Sequence, residues 1–215
     1  MHIPDGFVSA PINLAAYAVS GGVCAYAVYR AKRELGERQV PLLGVTAAFV
    51  FAAQMLNFPV AGGTSGHFLG ATLAAVLLGP WNACLIMAIV LGMQCLGFAD
   101  GGLTALGTNV FNMGIVASLG SYLLFVGIKR ILPEGKSGFL VSVAVASWFS
   151  VVLASAACAL ELATSGTSPL RVVLPAMAGV HVLIGIGEAF ITTTVIAAIM
   201  ASRKDLIWTL REAEP

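Results

Sequence analysis

The residues with the most distinctive chemistry in this sequence are its three histidines, His2, His67 and His181. His2 directly follows the terminal amine of Met1. The Met1 nitrogen, the His2 main-chain nitrogen (once a metal has displaced its proton) and a His2 ring nitrogen can therefore chelate one ion in fused rings, and His67 can add a fourth nitrogen. Four nitrogens in a plane suit Ni(II) or Cu(II), whereas Zn(II) prefers a tetrahedron and Ca(II) and Mg(II) prefer oxygen. The alternative stays open, because a lone histidine in a membrane protein more often packs and hydrogen-bonds.

The composition indicates where these histidines lie. Of 215 residues, 59% are hydrophobic and 10% are charged, against about 45–50% and about 25% in ordinary globular proteins. The net charge of +1 does not fit a nucleic-acid-binding domain, and the composition argues against a soluble enzyme and a disordered tail. We therefore predict one integral membrane domain over residues 1–215. Because residues 1–29 contain no Lys or Arg, they lack the basic region of a secretory signal, and we expect Met1 to remain the N-terminus.

The apolar blocks predict an all-α protein of seven transmembrane helices. The block 67–98 contains Gly79-Pro80-Trp81, and a proline there removes a helical hydrogen bond. Ten of the eleven Lys and Arg residues fall in three groups, which the positive-inside rule places on the cytoplasmic side. Because the first two groups lie on the same side, an even number of spans must separate them. The block 67–98 must therefore supply two spans, 67–79 and 81–98. The N-terminus is then outside and the C-terminus inside. The blocks are 8–29, 42–61, 67–98, 104–128, 139–163 and 172–202, and the groups are Arg30, Lys32, Arg33 and Arg38; Lys129, Arg130 and Lys136; and Arg203, Lys204 and Arg211.

Polar side chains within these predicted helices concentrate in their outer halves. Such groups are costly at membrane depth and are therefore functional candidates. The distribution is typical of an outward-facing pocket for a polar or ionic ligand, and interhelical hydrogen bonds are the alternative. His181, about 15 Å into the last helix, is interpreted as support or packing, and the roles of Glu161 and Glu188 stay open. The outer set is Gln54, Asn57, His67, Gln94, Asn109 and Asn112.

Five short motifs resemble the substrate-binding membrane component of energy-coupling-factor transporters for nickel and cobalt, the CbiM/NikM family. The resemblance implies that Met1, His2 and His67 hold the metal through nitrogen donors. It also implies a transmembrane coupling protein and two cytoplasmic ATPases as partners, in a prokaryotic cell membrane. The sequence has no Walker motif, so we expect ATP hydrolysis on the partners, and here neither a catalytic residue nor a cofactor beyond the transported ion. The motifs are Met1-His2-Ile3-Pro4-Asp5-Gly6, Gly66-His67-Phe68, Gly79-Pro80-Trp81, Phe98-Ala99-Asp100-Gly101-Gly102 and Asn109-Val110-Phe111-Asn112-Met113.

Two other functions compete with this interpretation. Gly63-Thr64-Ser65-Gly66 resembles the sequence around the serine of rhomboid intramembrane proteases, with His181 as the base. The glycine that follows this histidine comes at position 185, one residue later than in rhomboids. A secondary transporter often shows paired halves, and none are visible in the sequence.

A subunit of this kind must dock on its coupling protein within the bilayer. Small residues spaced i,i+4 let helices approach closely. Gly44, Ala48 and Ala52 form such a stripe and are the predicted docking face, Ala18 and Gly22 form a shorter one, and internal packing is the alternative. The sequence decides neither nickel against cobalt nor whether a small auxiliary membrane subunit takes part.

Overall fold

The computed structural model describes residues 1–36 and 39–211 of the chain. Arg38 of the first basic group and the C-terminal residues 212–215 lie outside the described residues. The described chain is helical apart from one short β-hairpin. In order, the elements are α1 (Ala10–Glu34), α2 (Val40–Gln54), β1 (Asn57–Pro59), β2 (Ser65–His67), α3 (Ala71–Leu78), α4 (Pro80–Phe98), α5 (Leu106–Asn109), a π-helical segment (Val110–Val116), α6 (Ala117–Ile131), α7 (Lys136–Thr164), α8 (Leu170–Ser202), a 3₁₀ turn (Lys204–Leu206) and α9 (Trp208–Arg211).

The long helices occupy the predicted apolar blocks. Within the described residues, five helical stretches are long and apolar enough to cross a membrane: α1, α4, the continuous stretch from α5 to α6, α7 and α8. The helix α2 has 15 residues and α3 has eight, so α3 covers only about 12 Å. The all-α prediction is confirmed, whereas the count of seven crossings and their orientation remain predictions.

The predicted division of the block 67–98 at Gly79-Pro80 is confirmed. Gly79 has a φ of +86°, a conformation that favours glycine. Pro80 then begins α4, at a position where its missing N–H is not needed. The chain reverses there, and α3 packs back along α4.

The hairpin between α2 and α3 corrects two predictions. The predicted helix over 42–61 ends at Gln54, and Asn57–Pro59 pairs antiparallel with Ser65–His67. His67 was predicted to open a helix but lies at the end of β2, four residues before α3 begins. The physical reason is local, because Pro59 has no N–H to donate to a helix and Gly62 adopts a φ of +78° in the connecting turn.

The helix α3 lies at the centre of the bundle, where all eight of its residues are buried. It contacts α4, α6, α7 and α8, and it continues directly from the segment that carries His67. Large apolar side chains point away from this core and are exposed, as expected for a surface covered by lipid. Examples are Leu14, Leu123, Leu183, Ile186 and Phe190.

Candidate metal centre

The N-terminus is inserted into the protein beside the hairpin. Met1 is fully buried and His2 is 4% exposed. The Met1 amine donates to the main-chain oxygen of Ser65 at 2.6 Å and to its Oγ at 2.7 Å, and the His2 main-chain N–H donates to the same Oγ at 3.0 Å. An uncharged amine has two hydrogens for these two bonds and keeps one lone pair, which is available to a metal.

The next residue, Ile3, is held by hydrogen bonds to Asn109 and Gly102. The Ile3 N–H donates to Oδ1 of Asn109 at 2.8 Å, and Nδ2 of Asn109 donates to the Ile3 oxygen at 3.1 Å. The Gly102 N–H donates to the same Ile3 oxygen at 2.8 Å. A Cβ on Gly102 would collide with the main chain of Asp5, so this close approach requires glycine.

Burial determines the charge of the terminal amine. Removal from water disfavours the ammonium form, and it lowers the pKa of the Met1 amine from 8.0 to about 5, against smaller opposing effects of Cys158 and Asp100. The amine is therefore uncharged at neutral pH. Metal ligands must be deprotonated, so the fold prepares this nitrogen for coordination.

His67 presents a free ring nitrogen to the same region. Its Nδ1 lies 2.7 Å from the Phe68 main-chain oxygen, which can only accept, so Nδ1 carries the hydrogen and Nε2 carries the lone pair. That Nε2 is buried and has no hydrogen-bond partner among the described residues. Burial first, then the nearby amine and His2, keep the pKa of His67 well below its usual range. The ring centroids of His67 and His2 are 4.6 Å apart in an edge-to-face arrangement.

Asp100 is a site residue that lies in the motif Phe98–Gly102 and was not predicted to be functional. Its Oδ1 lies 2.9 Å from Nδ1 of His2, and its Oδ2 accepts from Nδ2 of Asn57 at 2.8 Å. Burial alone would raise the pKa of Asp100, but the hydrogen bonds with His2 and Asn57 contribute to outweighing it, so the pKa is lowered. The family motif Phe98–Gly102 was the signal in the sequence that pointed to this segment. A motif alone does not indicate which of its residues acts.

A cavity of about 380 Å³ leads to these groups from the surface, and His2, Asn57, Ser65 and Asp100 are among its lining residues. A larger cavity of about 770 Å³ lies at the opposite end of the molecule, between Lys129 and Trp208, and none of the ligand candidates line it. In the part of the chain that the structure describes, no three His, Cys, Asp or Glu side chains group together as metal ligands. The inserted N-terminus adds a further nitrogen donor, the Met1 amine, beside the imidazoles of His2 and His67.

Two buried polar side chains support the segment after His67. Glu188 on α8 accepts from the N–H groups of Leu69 and Gly70, both at 2.7 Å. Gln54 at the end of α2 donates to the Leu69 oxygen at 2.7 Å. The sequence left the role of Glu188 open. In the structure, this side chain ties the segment after His67 to α8.

The remaining polar candidates divide between the site and the bundle. Asn57 and Asn109 join the site, as described. Asn112 donates to Glu161 at 2.5 Å, and the buried Gln94 has no side-chain partner within the described ranges. The structure thus brings Met1, His2 and His67 together, whereas Asn112 bonds to Glu161 and not to these residues.

The protease alternative finds no support in the arrangement of Ser65. Its Oγ is occupied by the Met1 amine and the His2 N–H. Nδ1 of His181 contacts the Met177 main-chain oxygen of its own helix at 2.6 Å. Between the residues that the structure describes, no hydrogen bond joins the Ser65 hydroxyl to His181, which a serine–base pair requires.

The sequence is similar to named metal transport proteins along nearly its whole length. It is 43% identical over 209 residues to a protein of Archaeoglobus fulgidus that carries the name fused nickel transport protein NikMN, covering 96% of this chain and 68% of that one. It is 31% identical to the fused nickel transport protein NikMN of Rhodobacter capsulatus, covering 96% and 64%. It is 32% identical to the cobalt transport protein CbiM 1 of Pelobacter propionicus, covering 98% and 95%.

Two solved structures share the fold. One, a truncated transition metal transporter, is 32% identical with a TM-score of 0.87, covering 94% of this chain and 99% of that one. The other, a transition metal transporter, is 31% identical with a TM-score of 0.89, covering 94% and 93%. The family model for the cobalt uptake substrate-specific transmembrane region, CbiM, matches residues 2–206. The resemblance found in the sequence is confirmed, and the chain is a multi-pass membrane protein that belongs to the CbiM family.

Proposed function

We propose that this chain is the substrate-binding subunit of a nickel or cobalt importer and that it holds the ion through Met1, His2 and His67. The observation that carries the proposal is the buried terminal amine, which is uncharged, keeps a lone pair and lies beside two imidazoles. The names of the relatives, which include nickel and cobalt transport proteins, support the same cargo. Nitrogen donors fit both ions, so the choice between nickel and cobalt stays open.

The hydrogen bonds at the site indicate which contacts must change when the ion binds. Fused chelation through the His2 main-chain nitrogen uses Nδ1 of the ring, because Nε2 is one bond too far. Since Nδ1 contacts Asp100, the ion must take the place of that contact. The His2 main-chain proton must also leave, to water in the access cavity that His2 and Ser65 line, and the hydrogen bond from this N–H to Ser65 Oγ is then lost.

Energy for import is proposed to come from partner chains, namely a transmembrane coupling protein and cytoplasmic ATPases. Gly44, Ala48 and Ala52 are exposed on α2, and no neighbouring atom lies within 4 Å of a Cβ built on Gly44. The stripe is therefore not used for internal packing in the described residues. This favours its proposed use as the docking face, where small residues allow close helix contact.

The experiment that tests the cargo is equilibrium dialysis of the purified chain, with its N-terminus unmodified, against Ni(II) and against Co(II). One ion per chain is expected, held by nitrogen ligands in X-ray absorption spectra. Sulfur or purely oxygen ligands would contradict the proposed donor set. Uptake into vesicles should then require the ATPase partners and ATP, whereas a secondary transporter would accumulate the ion with neither.

A further inference from the structure

A third imidazole with a free nitrogen lies next to the proposed site. His181 on α8 is fully buried. Its Nδ1 contacts the Met177 main-chain oxygen at 2.6 Å, which can only accept, so Nδ1 carries the hydrogen and Nε2 the lone pair. Among the residues described, nothing hydrogen-bonds to that buried Nε2. A buried acceptor without a partner is unfavourable for stability, and an imidazole nitrogen of this kind is a candidate metal ligand.

The surroundings of His181 place it against the hairpin. On the same face of α8, Ile184 contacts the hairpin so closely that a Cβ on Gly66 would lie 2.8 Å from its Cδ1. One turn further along, Glu188 binds the segment after His67. The strand β2, which carries both Ser65 and His67, packs directly against α8.

The hairpin separates His181 from the access cavity. Ser65 and His2 line that cavity, and His181 does not. An ion that enters past Asp100 therefore meets His2 and Ser65 before it can reach His181. His181 lies on the inner side of the site.

His67 and His181 have the same local design. In each, Nδ1 contacts a main-chain oxygen and a buried Nε2 remains free. We propose that the two Nε2 atoms form an inner two-imidazole metal site that receives the ion from the terminal chelate, with His67 shared by both sites. Imidazole pairs suit Ni(II) and Co(II). The inference deepens the proposed function and rests on it.

The test uses the full-length chain in detergent with Ni(II) alone as the probe. Acetylation of the Met1 amine removes its lone pair and disables the terminal chelate. The acetylated chain should keep a weaker, saturable site for one ion, and His181→Ala and His67→Ala should each weaken that site by at least about tenfold. Thr192→Ala is the matched control, because Thr192 is also buried on α8 with an unpaired hydroxyl, and it should leave the site unchanged.

The same variants with a free amine complete the test. In the chain with a free amine, His181→Ala should change nickel affinity by less than about threefold. Retained binding also shows that the variant folds. His181→Gln should give the same result. Loss of all binding on acetylation, or residual binding that His181→Ala does not weaken, would overturn the inner site while leaving the proposed function intact. A tenfold loss in the free-amine His181→Ala chain would also overturn it, because the imidazole would then serve the outer site. Failure of the unmodified chain to bind nickel or cobalt would instead contradict the proposed function itself.

Discussion

The buried serines of α7 and the end of the molecule that holds the N-terminus make different kinds of polar contact. At the site end, hydrogen bonds join residues far apart in sequence, such as Met1 with Ser65 and Ile3 with Asn109. In α7, serine hydroxyls such as that of Ser147 donate to carbonyl groups one turn earlier in the same helix. The buried serines of α7 therefore satisfy their hydroxyl groups locally, whereas the site depends on several segments meeting correctly.

This difference explains how the two regions should respond to substitution. Loss of a hydroxyl in α7 leaves a helical carbonyl that already has a backbone partner, so little changes. Loss of one contact at the site end frees a strand, a loop or the terminus that carries a ligand. Substitutions at the site end should affect metal affinity strongly and helix stability weakly. Loss of a serine hydroxyl in α7 should leave metal affinity unchanged.

The largest effect is expected for His67→Ala. The substitution removes a proposed ligand nitrogen, so nickel affinity should fall by more than about 100-fold, the upper range for loss of a merely supporting residue. Isothermal titration of the purified variant measures this. His181→Ala with a free amine is the comparison and should be much milder. If His181→Ala abolished binding while His67→Ala did not, the ligand assignment would be wrong.

The next effect is expected for Asn109→Ala. This side chain makes two of the three hydrogen bonds that hold Ile3, so its loss loosens the terminal chelate and should weaken nickel binding by roughly 10- to 100-fold. Asn82→Ala is the matched control, because Asn82 is also buried but bonds to Leu78 of the neighbouring helix. Equal losses in the two variants would show that the effect is one of general stability.

The pH dependence should reveal the buried amine. Protons compete with the metal for each ligand nitrogen, and burial moves the pKa of the Met1 amine from 8.0 down to about 5. The amine stays unprotonated as the pH falls from 8 to 6, and the loss of affinity should become steeper below about pH 5. Nickel titrations between pH 8 and pH 4 check this. A break near pH 8 would indicate that the amine is exposed to water.

A smaller effect is expected for Asp100→Asn. The substitution keeps the shape of the side chain but removes a negative charge from the access cavity, so nickel association should slow by roughly two- to fivefold and depend less on salt. Stopped-flow measurements at two ionic strengths test this. Asp205→Asn, which removes a carboxylate far from the cavity, provides the control. An unchanged rate in Asp100→Asn would show that the carboxylate does not guide the ion.

The smallest effect is expected for Ser147→Ala in α7. Its hydroxyl donates within the helix at 2.7 Å, so the free energy of unfolding should change by less than about 1 kcal/mol, and nickel affinity should stay the same. Thermal unfolding and nickel titration of one preparation measure both quantities. A clear loss of nickel affinity would show that the two regions are coupled.

The sequence predicted the helical body well because apolar block length and proline position directly limit where helices form. The break at Gly79-Pro80 is an example. The hairpin was missed because its strands have three residues each, which is too short for an alternating pattern to stand out. Met1, His2 and His67 could be proposed from their donor chemistry, but the contacts of Asp100 and Glu188 depend on segments about 100 residues apart. No local pattern in a single sequence records such contacts.

The most direct measurement of the central claim is a side-by-side nickel titration of three forms of the chain: unmodified, acetylated at the Met1 amine, and extended by two glycines before Met1. Two residues are preferable to one, because a single added residue would place His2 third in the chain and create a different planar chelate from its own amine, two amides and the imidazole. A C-terminal tag is the control and should have no effect. We expect high-affinity binding in the unmodified and C-terminally tagged chains, and its loss in the other two. Undiminished affinity in the acetylated and extended chains would contradict the claim that the terminal amine holds the ion.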